Sequence, residues 1–115
     1  MSLLAWFEIR SHAECIALAE AARKLDRWRL DRALMVVTLE PCPMCMGAIY
    51  WSRFDKLYFA CGVEDTRSVG FDDAFQYEDF AKPLGDRRIP IEQVGRDAGM
   101  VAYQAWEDRE NKHPY

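Results

Sequence analysis

The chain has 115 residues, half of them hydrophobic and 30% charged, with a formal net charge of −4 and a pI near 5.1. That length and balance fit one globular domain spanning 1–115 and exclude a disordered chain. The acidic balance argues against a broad face for nucleic-acid phosphates, which takes clustered Lys and Arg. No apolar run is long enough to cross a bilayer.

In chain order, MSLLAWFEIR has neither a basic leader nor a small-residue cleavage site, which argues against a signal peptide. Ala13, Ile16, Ala17, Ala21 and Leu25 recur at helical spacing, with Ser11 as the expected N-cap and Arg23 and Lys24 near the end. Ala33 to Leu39, ALMVVTL, suits a strand buried on both faces. Pro41 and Pro43 stop it, and Pro43 suits the first turn of a helix running to about Ser52. Lys56 to Ala60 reads as a second strand. Gly62 to Asp73 reads as a polar loop with short helical turns, and Gln76 to Phe80 as helical. Arg88 to Val94 is expected as a third strand, at an edge because of Pro90. Ala98 to Asn111 reads as the last helix. Strands alternating with helices predict an α/β domain with a largely parallel sheet.

The four cysteines are Cys15, Cys42, Cys45 and Cys61, and only Cys42 and Cys45 share a C-x-x-C spacing. This pattern fits reduced thiols in a cytosolic protein better than a disulfide framework. Cys42 and Cys45, at a strand-to-helix turn, can both point at one ion, and the positive end of a helix favours thiolates. On spacing alone the pair also reads as a structural zinc clip or a thioredoxin-like redox pair. Zinc takes thiolate and imidazole ligands in a tetrahedron, and a catalytic zinc keeps one place for water. His12 is the candidate third ligand. Two thiolates and a neutral imidazole leave such a site formally neutral, so its water needs a base, and Glu14 is the candidate. Residues i and i+2 lie about 200° apart in an ideal helix. His12 and Glu14 therefore share a target only if His12 sits at the loop–helix junction. H-x-E followed by P-C-x-x-C is the signature of zinc nucleobase deaminases.

The stretch VVTLEPCPMCMGAIYWSRFDKLYFA resembles the cytidine deaminase-like superfamily, in the branch of guanine and tRNA adenosine deaminases. GFDD, Gly70 to Asp73, is similar to the guanine deaminases. So is the ending, with Gln104-Ala105-Trp106, Asn111-Lys112 and Tyr115. The basic, phenylalanine-rich last helix of the tRNA enzymes is absent. The resemblance implies a three-layer α/β/α sandwich. Members usually carry a helix and a two-strand hairpin before the H-x-E, whereas only eleven residues precede His12. The implied fold therefore lacks that portion, and with it a covered edge for the first strand.

The resemblance further implies Zn2+ held by His12, Cys42 and Cys45, with Glu14 and Asp73 as catalytic proton carriers. His12, Ala13, Trp51, Asp73 and Tyr115 are the implied substrate-binding residues. The implied reaction is hydrolysis of guanine to xanthine and ammonia in the cytoplasm. A small purine base is the expected partner, together with a second copy of the chain in a homodimer or higher homo-oligomer. Neither tRNA nor membrane is expected. The alternatives are a deaminase of tRNA adenosine or of free cytosine or cytidine, and a shortened zinc-binding fold without catalysis. Each added residue also has a plainer reading. Asp73 can cap a short helix, Trp51 can pack in the core, and Tyr115 can be a frayed end. His113 reads as solvated, Cys15 and Cys61 as small buried hydrophobes, and Glu40 as a structural residue at the strand end.

Overall fold

Helix α1 (Ala13–Leu25) opens the part of the chain that the computed structural model describes, residues 12–114. Its N-cap is His12, held extended at φ −62°, ψ 133°. The expected cap, Ser11, lies outside the described residues, as does Tyr115. Glu14 in the first turn and Arg23 and Lys24 in the last suit the helix dipole. Asp26 ends the helix in the left-handed region at φ 50°, and its N–H bonds the Ala22 and Arg23 carbonyls.

Strand β1 (Leu34–Leu39) leads into helix α2 (Pro43–Trp51), which returns the chain to β2 (Lys56–Cys61). The strands pair in parallel, with Leu34 opposite Lys56, Val37 opposite Phe59 and Leu39 opposite Cys61. Parallel neighbours need a crossover, and α2 supplies it. Pro43 sits in its first turn, where a missing N–H costs nothing. The Leu30 N–H donates to the Ser52 carbonyl at 2.7 Å and ties the segment after α1 to the end of α2. The core gathers Leu30, Met35, Cys42, Cys45, Ile49 and Ala74, so both cysteines are core residues.

Burial on both faces of β1 is not what forms. Met35 is 7% exposed, but its neighbour Val36 is 76% exposed, so the strand alternates between a covered and an open face. The third strand is also absent: Arg88–Val94 is irregular, and among the described residues the sheet has two strands. Pro90 has no N–H to donate to a ladder.

The polar stretch after β2 folds into α3 (Val63–Ser68), a turn ending at Asp73, and α4 (Ala74–Phe80). A 3-10 turn follows at Leu84–Asp86, then α5 (Arg96–Glu107). The chain divides into two compact units, 1–81 and 82–115. The sheet and helices α1 to α4 belong to the first, α5 to the second. Among the described residues no helix is long and apolar enough to cross a membrane.

Candidate metal centre and active site

Three ligand atoms converge at the N-terminal ends of α1 and α2. His12 Nδ1 lies 3.3 Å from Cys45 Sγ and 3.4 Å from Cys42 Sγ. All three atoms lie within 4.8 Å of one another. A tetrahedral zinc with bonds of about 2.3 Å to sulfur and about 2.0 Å to nitrogen would set N and S about 3.5 Å apart. The donor chemistry and the spacing both fit that ion. The helix packing explains the convergence. Helix α1 lies against α2, and each presents its first turn to the same point, with His12 and Cys42 both extended N-caps.

The angular difficulty of the HAE pair is resolved by His12's extended backbone. Because His12 is not yet helical, it and Glu14 both reach the site. Cys45 Sγ donates to Glu14 Oε2 at 3.7 Å. Glu14 also borders a cleft of about 440 Å³, shared with Ala13, Ala17 and residues 35–39 of β1. Its carboxylate thus stands between the ligand cluster and open space.

Burial pushes the Cys45 thiol well above its ordinary range, with contributions from the contact to Cys15 and the charges of Cys42 and Glu14. A buried thiol that resists ionising alone becomes a thiolate when a cation shares the site.

The loop after β1 is braced from α3 and α4. Glu40 Oε2 accepts the Val63 N–H at 3.0 Å, the structural role expected of it. The Tyr77 hydroxyl donates to the carbonyl of Pro41, next to Cys42. Burial raises the Tyr77 pKa, followed by the charges of Glu40, Cys42, Asp73 and Cys45. Asp73 precedes Tyr77 by four residues, one helical turn. Asp73 occupies the N-cap position of α4 but makes no capping bond with its side chain. Asp72 Oδ1 accepts the Phe75 N–H instead, at 3.3 Å.

Trp51 is not brought into this cluster. It sits at the far end of α2, about 9 Å along the axis from Cys45 at 1.5 Å per residue. Trp51 is 56% exposed rather than packed in the core. The Arg53 guanidinium lies 5.8 Å from the ring, beside a shallow depression shared with Gly47 and Tyr50.

Two contacts of the cluster go beyond the motifs of the sequence. Cys15 is half-buried, with its sulfur 3.6 Å from Cys45 Sγ. Its contact depends on how α1 lies on α2, and no spacing rule encodes that. Tyr77 had one available signal, its position one turn after Asp73.

Comparison with known proteins agrees with this geometry. Residues 8–61 match the family described as the cytidine and deoxycytidylate deaminase zinc-binding region. The chain is 39% identical over 105 residues to the guanine deaminase of Bacillus subtilis (strain 168), covering 91% of this chain and 67% of that protein. It is 51% identical over 49 residues to the tRNA-specific adenosine deaminase of the same organism, covering 43% of this chain and 30% of that protein. The X-ray structure of the Bacillus subtilis guanine deaminase superposes with a TM-score of 0.84 at 39% identity, over 91% of this chain and 67% of that one. This chain therefore spans about two thirds of the guanine deaminase and less than a third of the tRNA enzyme.

An α/β fold of the cytidine deaminase-like kind, with a His–Cys–Cys donor set beside a glutamate, defines a zinc-dependent deaminase, a hydrolase. The chain belongs to the cytidine and deoxycytidylate deaminase zinc-binding family.

Proposed function

We propose that this chain hydrolyses guanine to xanthine and ammonia. The carrying observation is the extent of the likeness. It covers 91% of the chain for the guanine deaminase, against 43% for the Bacillus subtilis tRNA enzyme. The longer match takes in the segment after β2, with GFDD, where the substrate-facing residues are expected.

His12, Cys42 and Cys45 hold Zn2+, which supplies the Lewis acidity that makes water nucleophilic near neutral pH. Glu14 accepts the proton of the attacking water and passes it to the ring nitrogen beside the reacting carbon. Asp73 hydrogen-bonds the purine and, with Glu14, protonates the exocyclic amine, so that ammonia leaves rather than amide ion. His12 and Ala13, at the start of α1, add further substrate contacts. One water is consumed and one ammonia released per guanine.

Residues 1–115 act as one functional domain in this reading. It also includes a homodimer or higher homo-oligomer, supported by the open face of β1 and by its edge, which no strand covers among the described residues. The free thiols at all four cysteines support a reducing, cytoplasmic location. A second reading, deamination of tRNA adenosine, is favoured by the 51% identity to the tRNA enzyme. That likeness covers only 43% of the chain, and the acidic net charge weighs against a polyanionic substrate.

The test offers the zinc-loaded chain guanine, guanosine, adenine, cytosine, cytidine and a tRNA anticodon stem-loop, with ammonia as the readout. Release from guanine that disappears in Glu14→Ala while zinc is retained is the expected result. Release from the stem-loop alone would establish the second reading. Silence on every substrate with zinc in place would favour a zinc-binding fold without catalysis.

A further inference from the structure

Between Gly62 and Phe80 the sequence carries six acidic residues and a single basic one, Arg67. That arginine meets three of the acids. Its Nε donates to Asp72 Oδ1 at 3.0 Å, its Nη2 to Glu78 Oε1 at 2.9 Å and its Nη1 to Glu64 Oε1 at 3.3 Å. The same Asp72 oxygen accepts the Phe75 N–H and so starts α4. The guanidinium thus joins α3, the turn through Gly70, and α4. Gly70, at φ +98°, lets that turn reverse tightly. Asp73 is the next residue after Asp72. On the side of the ligand loop, α4 is held by the Tyr77 bond to Pro41.

We propose that Arg67 is a positioning residue for the deamination: by gripping Asp72 and Glu78 it fixes the turn that presents Asp73 to the departing amine. This rests on the reading above that Asp73 touches the purine. Two arguments favour an effect on geometry over one on stability. Exposed ion pairs add little to folding free energy, and although Arg67 is half-buried, its three carboxylate partners are exposed. Without Arg67, however, Glu64, Asp72, Asp73 and Glu78 repel one another with no cation among them. The turn must then open, and a small displacement of a proton donor is costly to rate.

The experiment uses the zinc-loaded full chain with guanine. Arg67→Met is expected to lower kcat by about tenfold, the scale of a sub-ångström misplacement, with KM changed less than about twofold. Zinc content and melting temperature should stay close to those of the unsubstituted chain. Arg67→Lys, which keeps the charge but not the forked geometry, should recover part of the loss. In an Asp73→Asn background, Arg67→Met should add nothing further, because it acts through Asp73. Asp72→Asn severs the same link and carries the test if Arg67→Met fails to fold. Multiplicative losses in the double variant, or an Arg67→Met enzyme with undiminished kcat, would overturn the proposal while leaving the role of Asp73 intact. Full activity in Asp73→Asn would overturn the reading of Asp73, and this proposal with it. An unsubstituted chain that releases no ammonia from guanine overturns the functional reading first.

Discussion

His12 shows how much one residue's backbone decides. As an N-cap at ψ 133° it is released from the helical direction that would separate it from Glu14, and both side chains reach the cysteine sulfurs. The ligands were legible in the sequence because their chemistry is carried by residue type and short spacing. Cys15 was not, because its contact with Cys45 arises from helix packing. The proposed ligand and base roles can be told apart by substitution. Cys45→Ala and His12→Ala each remove one of three protein donors and should lower bound zinc, measured by metal analysis, to a small fraction of one per chain. Glu14→Gln leaves the donors intact and should keep the zinc. Its ammonia release should fall by about 10²- to 10⁴-fold, the usual contribution of a positioned acid–base group.

At the scale of elements, α1, β1, α2 and β2 follow their sequence signals to within a residue at nearly every boundary, since periodicity, prolines and β-branched runs are local information. The failures are non-local. Arg88–Val94 has the composition of a strand but forms none, because a strand needs a paired partner that local composition does not supply. β1 has the composition of a doubly buried strand but one open face. That asymmetry predicts unequal costs. Met35→Ala should destabilise by about 2–4 kcal/mol through lost burial and a cavity, whereas Val36→Thr should stay within about 0.5 kcal/mol. Urea denaturation checks both. The α3–α4 junction is sensitive to pH. The hydrogen bond from Arg67 holds the Asp72 carboxyl below the usual carboxylate range. A lowered folded pKa gives support that is complete above the ordinary value of about 3.9 and is lost as pH falls through the folded value. The Phe75 amide, which Asp72 holds, should therefore exchange more slowly than in Arg67→Met near pH 6. That ratio should approach one as the pH falls below the folded value of Asp72. Comparing the two proteins at each pH cancels the intrinsic pH dependence of exchange.

For the whole molecule, all three ligands, Glu14, Arg67 and Asp73 lie in the unit ending at Ala81, so zinc binding is a property of that unit. The same unit carries the surface that most needs a partner. Among the described residues β1 pairs only with β2, leaving one edge of backbone donors and acceptors without a strand. Leu34, Val36 and Leu39 along it are exposed. A free, apolar edge is a template for another strand, and a second copy of the chain offers an identical one. Paired edge to edge, two copies would satisfy the open ladder and cover Val36 through a two-fold, self-complementary contact. Light scattering at high micromolar concentration should then give a mass of two chains or more. Val36→Lys places a charge where the contact would close and should shift the mass to one chain with zinc content unchanged. A single-chain mass for the unsubstituted protein at that concentration would mean that the open face of β1 is tolerated in water and that self-association has no part in forming the site.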